Sequence, residues 1–156
     1  MEALLPAAAT ILVAGTPEAV VTAKYALGTA FNYVPAYTID QAVSFLCAPV
    51  DVIVCNVAFD SSRMFDFIRA ARQGPKSRTI PIVCFRQRPL SRTTHEAIEN
   101  ALGAFGLTTF VDLYALTAQA GVTHALLAFR AAVLAALRLE TPVMPLSQAR
   151  KEASGL

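Results

Sequence analysis

The sequence predicts an α/β fold, an open and mostly parallel sheet with helices on both faces. Three observations carry that prediction. Short apolar, partly β-branched runs alternate with helical patterns five times along the chain. The central run, Val50-Asp-Val-Ile-Val-Cys55, is apolar on both faces, as a strand in the middle of a parallel sheet must be. Short linkers and right-handed crossovers then leave few other topologies. The length, 156 residues, suits one domain. Residues 10–139 are expected to form it, after a flexible lead over 1–9 and before a tail or linker over 140–156.

Taken in order, Thr10–Ala14 is the first strand, and it stops at Gly15. Thr16 is placed to N-cap the next helix, with Pro17 at its first position and Glu18 on the positive end of its dipole. That helix should run to Leu27 and stop at Gly28. Phe31–Tyr37 reads as the second strand, and Thr38-Ile-Asp-Gln41 as a capping box opening a short helix to about Cys47. The third strand is Val50–Cys55. Ser61 and Ser62 are expected to cap a helix reaching Arg72, with Met64, Phe65, Phe67, Ile68 and Ala71 on its buried side. Gly74-Pro75 should end it. Thr79–Phe85 is the fourth strand, with Pro81 near its start, where a missing N–H is tolerable. Thr93-Thr-His-Glu96 should cap the next helix, which Gly103 or Gly106 closes. Leu107–Leu113 reads as the fifth strand. An apolar loop, Tyr114–Val122, then leads to a last helix from Thr123 to about Leu139.

Composition excludes several classes. Hydrophobic residues make up 55% and charged residues 15%, against about 25% charged in an average soluble domain, so the chain has ample apolar surface to order itself. Thirteen Lys and Arg against eleven Asp and Glu give +2, too small a balance to argue for nucleic acid or an anionic membrane. The longest uncharged runs (Ala3–Pro17, Tyr25–Ile39, Leu113–Phe129) fall short of a membrane span and contain polar residues or prolines. The start carries Glu2 where a signal peptide has basic residues. A cytoplasmic protein is expected. Cys47, Cys55 and Cys84 fit neither a paired disulfide framework nor a CxxC metal spacing, and read as small buried hydrophobes in a reduced compartment.

Several local phrases resemble the receiver domain of bacterial response regulators over roughly Thr10 to Leu139. Thr10-Ile-Leu-Val-Ala-Gly-Thr-Pro-Glu18 is similar to the receiver strand that ends in an acidic pair, and Pro49–Asn56 to the strand that ends at the phosphorylated aspartate. Ile80–Phe85 resembles the strand that ends at Thr or Ser, and Gly103–Leu113 the stretch before the family's lysine. The resemblance implies a (βα)5 flavodoxin-like three-layer sandwich with strand order 2-1-3-4-5. It also implies a pocket in which three carboxylates bind Mg²⁺, one of them accepts phosphate, and a hydroxyl and a lysine hold the phosphoryl oxygens. In this sequence the acidic pair falls on Gly15 and Thr16, the acceptor on Asn56, the hydroxyl on Arg86 and the lysine on Leu113. All of these positions differ. Mg²⁺ normally takes at least one carboxylate, and a neutral amide is no phosphoryl acceptor. Asp60 falls at a loop position pointing away from the pocket. The reading is a degenerate pseudo-receiver, with no metal and no cofactor.

Basic residues cluster at Arg63, Arg69, Arg72, Lys76, Arg78, Arg86, Arg88 and Arg92, with Asp66 as the one acid among them. Lys76 and Arg78 precede the fourth strand while Arg86, Arg88 and Arg92 follow it, so the topology divides them between opposite ends of the sheet. No continuous basic stripe with interleaved aromatics remains for nucleic acid. Arg86, Arg88 and Arg92, beside helix starts at Thr16 and Ser61, are candidates to receive an anion or a partner's carboxylate. His95 and His124 begin predicted helices and suit surface or capping roles. No glycine pattern forms a phosphate loop, and no nucleophile has a base beside it.

From His124 to Leu139 only His124, Arg130 and Arg138 are polar, so the last helix is apolar nearly all round. Either the tail (Val143, Met144, Leu146) or the loop Tyr114–Val122 folds over its outer side, or that side is a subunit interface over Ala128, Ala131, Leu134, Ala135 and Arg138. The resemblance favours the interface, because response regulators commonly pair through this region. The expected function is non-enzymatic: a phosphorylation-independent regulatory module in bacterial two-component signal transduction, acting as a homodimer or docked on an output or kinase partner. The alternatives are a sensor of a small anion at the Arg86 end of the sheet, and a flavodoxin-like enzyme or cofactor carrier.

Overall fold

The computed structural model describes residues 8–107 and 109–140. Five parallel strands lie in the order β2-β1-β3-β4-β5, the arrangement the sequence implied. In chain order the elements are β1 (Thr10–Ala14), α1 (Pro17–Leu27), β2 (Asn32–Ala36), α2 (Ile39–Phe45), β3 (Val52–Asn56), α3 (Phe59–Ser62), α4 (Met64–Gln73), β4 (Ile82–Arg86), α5 (Arg92–Ala104), β5 (Phe110–Asp112), α6 (Leu113–Ala120) and α7 (Val122–Glu140). Most of the expected lead and nearly all of the expected tail lie outside the described residues. Among the described residues no helix is long and apolar enough to cross a membrane.

Side chains alternate along each strand, and that alternation builds two cores. Leu12, Ile53, Cys55, Ile82 and Cys84 face α2, α4 and α5, where they meet Met64, Phe67, Ile68 and Leu102. Ile11, Val13, Val54, Val83 and Phe85 face α1 and α7, where they meet Val20, Leu27, Phe129 and Val133. Each fully buried side chain of this size contributes about 1.5–3 kcal/mol. Phe85 and Phe129 centre this second layer, their rings 4.8 Å apart.

Two helix starts form as the sequence predicts. Thr16 Oγ1 accepts from the Ala19 N–H at 3.1 Å, and Thr38 Oγ1 from the Gln41 N–H at 3.2 Å. Gln41 reaches back to the Tyr37 N–H, one residue earlier than a capping box requires. Gly28 ends α1 at φ +84°, where a side chain would be strained.

Four expectations are corrected. Ser61 and Ser62 do not cap α4, which starts after Arg63 without a side-chain cap. Instead Asp60, Ser61 and Ser62 are left-handed (φ 45°, 56° and 66°) within α3, a single distorted turn. Its two anchors explain this: Phe59 is buried edge-on against Phe67, and the Asp60 carboxylate accepts from the Ile39 N–H at 2.9 Å. Ser91, not Thr93, caps α5 by accepting from the Thr94 N–H, because Leu90 packs onto the core and turns the chain earlier. The fifth strand covers only Phe110–Asp112, because Asp112 Oδ1 accepts from the Ala115 N–H and starts a helix. The apolar loop over 114–122 is therefore mostly that helix, α6, which packs against α7.

Left-handed backbone costs an L-residue about 1–2 kcal/mol. Ser61 is exposed, and among the described residues its side chain makes no hydrogen bond that offsets that cost. Ser61→Gly should therefore raise stability by about 0.5–1 kcal/mol, read as a rise of roughly 1–4 °C in the thermal midpoint.

Candidate functional site

In an open parallel sheet, ligands and partners meet the carboxyl ends of the strands where the strand order reverses. Here that reversal lies between β1 and β3. A small hollow of about 50 Å³ opens there, lined by Thr16, Asn56, Ala58, Arg86, Gln87 and Arg88 among others.

The residues at the two acidic-pair positions and the acceptor position are already committed. Gly15 donates its N–H to the Ala36 carbonyl, and a Cβ built on it would stand 2.9 Å from the Ala19 Cβ and 3.2 Å from the Asn56 Cβ. The Thr16 hydroxyl caps α1. Asn56 is buried, its Nδ2 donating to the Phe85 carbonyl at 3.4 Å and its Oδ1 accepting from the Ala58 N–H at 3.0 Å. A glycine, a hydroxyl and an occupied amide oxygen are not a donor set for Mg²⁺, which takes hard and usually anionic oxygens in near-octahedral array.

Arg86, on which the resemblance places the hydroxyl, belongs to an ion-paired cluster. Arg86 ends β4 with its side chain only 10% exposed, and its Nη2 donates to Asp112 Oδ2 at 2.7 Å. Its Nη1 donates to the Arg88 carbonyl, and the Tyr114 ring lies 5.4 Å from the guanidinium carbon. Its Nε, also buried, has no hydrogen-bond partner among the described residues. Leu113 does not face this cluster. It is buried in the core shared by α1 and α7, while Asp112, its neighbour, stands opposite Arg86 in the strand register. Asp112 is the residue of this cluster that sequence reasoning missed. The available signal was a lone arginine closing an apolar strand: a charge in that position needs a countercharge from the adjoining strand.

Asp112 is constrained further. Burial pushes its carboxyl pKa up, but the Arg86 hydrogen bond, the Ala115 N–H and the charges of Arg86 and His95 outweigh burial and hold it below the usual carboxylate value. His95, expected at the surface or as a cap, is instead half-buried against Phe110. Its Nε2 lies 3.2 Å from Glu99 and its Nδ1 lies 3.8 Å from Asp112.

Other candidates separate. Arg88 joins Arg86 at the hollow and pairs with Glu18, to which Gln87 also donates. Arg92 stays outside, its side chain 91% exposed and within 3.6 Å of Glu96. No helix begins at Ser61 to join them. Arg63 and Arg69 pair with Asp66, and Arg72 donates to the Arg78 and Ile80 carbonyls at the other end of the sheet. His124 is exposed in the first turn of α7. On α7, Ala131, Ala135 and Arg138 lie on the exposed side, while Ala128 and Leu134 are half-buried. Cys55 and Cys84 stand opposite each other on β3 and β4 as free thiols. Cys47 is exposed, against expectation, because α2 ends before it.

No family model matches the chain, and no curated protein matches it. Solved structures do. The phosphorylated cyanobacterial phytochrome response regulator RcpA superposes with a TM-score of 0.62 at 12% identity, over 80% of this chain and 91% of that one. The chemotaxis response regulator CheY4 of Vibrio cholerae gives 0.57 at 16% identity, over 81% and 99%. A response regulator from Hahella chejuensis gives 0.57 at 16%, over 83% and 95%. At such identities the likeness is one of fold. The chain is a receiver-like α/β domain.

Asp112→Asn leaves a buried guanidinium without its countercharge and should cost about 3 kcal/mol in denaturant unfolding at neutral pH. A lowered folded pKa means that the carboxylate's contribution is complete above its unfolded value of about 3.9 and is lost as pH falls through the folded value. The gap between the two proteins should hold steady down to about pH 5 and narrow only below about pH 4. Burial pushes the Cys55 thiol well up and that of Cys84 to about 12, the latter against a lowering by Arg72. Iodoacetamide on the native chain at neutral pH should therefore label Cys47 alone, as read by peptide mass.

Proposed function

We propose that this chain is a phosphorylation-independent pseudo-receiver, a non-enzymatic regulatory module of bacterial signal transduction that works in the cytoplasm through protein contacts, as a homodimer or docked on an output or kinase partner. The observation that carries this reading is Asn56. It stands at the position where the resemblance places the phosphate acceptor, and both ends of its amide are bound by backbone. Gly15 and Thr16 beside it supply no carboxylate. The Arg86–Asp112 pair supports the same reading, because it fills the region of the hydroxyl and lysine with an ion pair internal to the fold.

One observation favours a second reading, a sensor of a small anion. Arg86 Nε is a buried donor with no acceptor among the described residues, at the wall of a hollow that also holds Arg88. Under that reading an anion raises the thermal midpoint, and Arg86→Ala removes the rise.

The main reading is tested by incubating the chain with Mg²⁺ and acetyl phosphate, then with beryllofluoride. The expected intact mass is unchanged, and beryllofluoride should shift the thermal midpoint by less than about 1 °C. A covalent phosphoryl adduct would overturn it.

A further inference from the structure

Three buried side-chain polar atoms have no hydrogen-bond partner among the described residues: Arg86 Nε, Gln87 Oε1 and His95 Nδ1. Buried polar groups are almost always paired, so each of these needs a cause. Two of the three belong to residues that line one hollow, the space of about 50 Å³ at the carboxyl ends of β1, β3 and β4. They are opposite in kind. Arg86 Nε is a donor on a residue only 9% exposed, and its Nη1 and Nη2 are already taken by the Arg88 carbonyl and by Asp112. Gln87 Oε1 is an acceptor, and the orientation of its amide is set because Nε2 donates to Glu18 and to Thr22. A third group in the lining joins them. Thr16 Oγ1 accepts from the Ala19 N–H, which leaves its own proton to donate.

Size, charge and donor pattern limit what the hollow can hold. About 50 Å³ admits a group of a few heavy atoms and excludes a nucleotide. Among the described residues of the lining, Arg86 and Arg88 stand against one carboxylate, Glu18, which is bound by Arg88 and Gln87. That balance of one positive charge suits a monoanion, and the N-terminus of the eleven-residue helix α1 opens beside it at Thr16. The hydrogen-bonding groups then choose among monoanions. Chloride, nitrate and formate only accept, so each would leave Gln87 Oε1 without a donor. Bicarbonate is small and planar, and it carries one O–H beside two bare oxygens.

We propose that the hollow lined by Thr16, Arg86 and Gln87 binds bicarbonate, its bare oxygens accepting from Arg86 Nε and the Thr16 hydroxyl and its O–H donating to Gln87 Oε1. This rests on the reading of the chain as a sensor of a small anion and names the anion. Selectivity lies in Gln87, because an acceptor in the wall rewards only an anion that still carries a proton.

The test titrates the thermal midpoint of the full chain with the sodium salts of bicarbonate, nitrate, formate and chloride, at mildly alkaline pH and equal ionic strength. Bicarbonate should raise the midpoint saturably. Nitrate has the same shape and charge but no donor, and should bind at least roughly tenfold more weakly. Gln87→Met, which removes the acceptor, should bring bicarbonate down to the nitrate level and leave nitrate unchanged. Arg86→Lys keeps a cation for Asp112 but loses the Nε–H, and should weaken both ions. Gln87→Met, at a partly exposed side chain, decides the question if Arg86→Lys fails to fold by circular dichroism. The proposal is overturned if nitrate or formate matches bicarbonate, or if Gln87→Met leaves the preference for bicarbonate intact. In either case anions that raise the midpoint and lose that effect in Arg86→Lys leave the sensor reading standing. If no anion raises the midpoint, the sensor reading falls with the proposal.

Discussion

A guanidinium taken out of water must find a countercharge, and in this chain Arg86 finds it in Asp112 across the β4–β5 register. Much of the local architecture follows from that pairing. Asp112 is held where its second oxygen caps α6, so β5 ends after three residues and the chain turns at once into a helix. That helix brings Tyr114 against the guanidinium and lays α6 beside α7. From the other side, His95 leans α5 toward the same carboxylate. One ion pair therefore ties two strands and two helices at the end of the sheet where receiver-like folds carry their chemistry. The charges of the pair are balanced from within the fold, which makes this end of the molecule a junction between elements.

The layered framework was legible because it rests on strong local signals. Short, β-branched apolar runs such as Ile11–Ala14 and Val52–Cys55 suit buried strands, and Thr16-Pro17 and Thr38 suit helix starts. What the sequence concealed depended on contacts between distant residues. Ser61 and Ser62 have the right chemistry to cap a helix, but Phe59 and Asp60 are drawn to Phe67 and Ile39, and the intervening chain is forced left-handed. The α6 segment has little apolar periodicity of its own. It is a helix because Asp112 caps it and α7 covers it.

The site divides in the same way. Gly15, Thr16, Asn56 and Arg86 can be located from strand ends alone, and each lies at the carboxyl end of its strand or just beyond it. Leu113 was the natural choice for the fifth position only while the fifth strand was taken to extend through it. Once the strand stops at Asp112, Leu113 turns into the core and the acid before it faces the arginine. The near-absence of polar residues along the last helix points to an interface on its outer stripe, where Ala131 and Ala135 are exposed; the largest exposed apolar side chains lie at its first turns and on α1.

The tight contact at Gly15 bears on what mutation can do to this lineage. Any side chain there would press on Ala19 and on Asn56, so an aspartate gained by a single codon change would meet a steric barrier before it met a cation. An acidic cluster at these strand ends would require coordinated changes on α1 and β3 as well. A route from this sequence to such a cluster is thus a multi-step path on which the change at Gly15 is unfavourable.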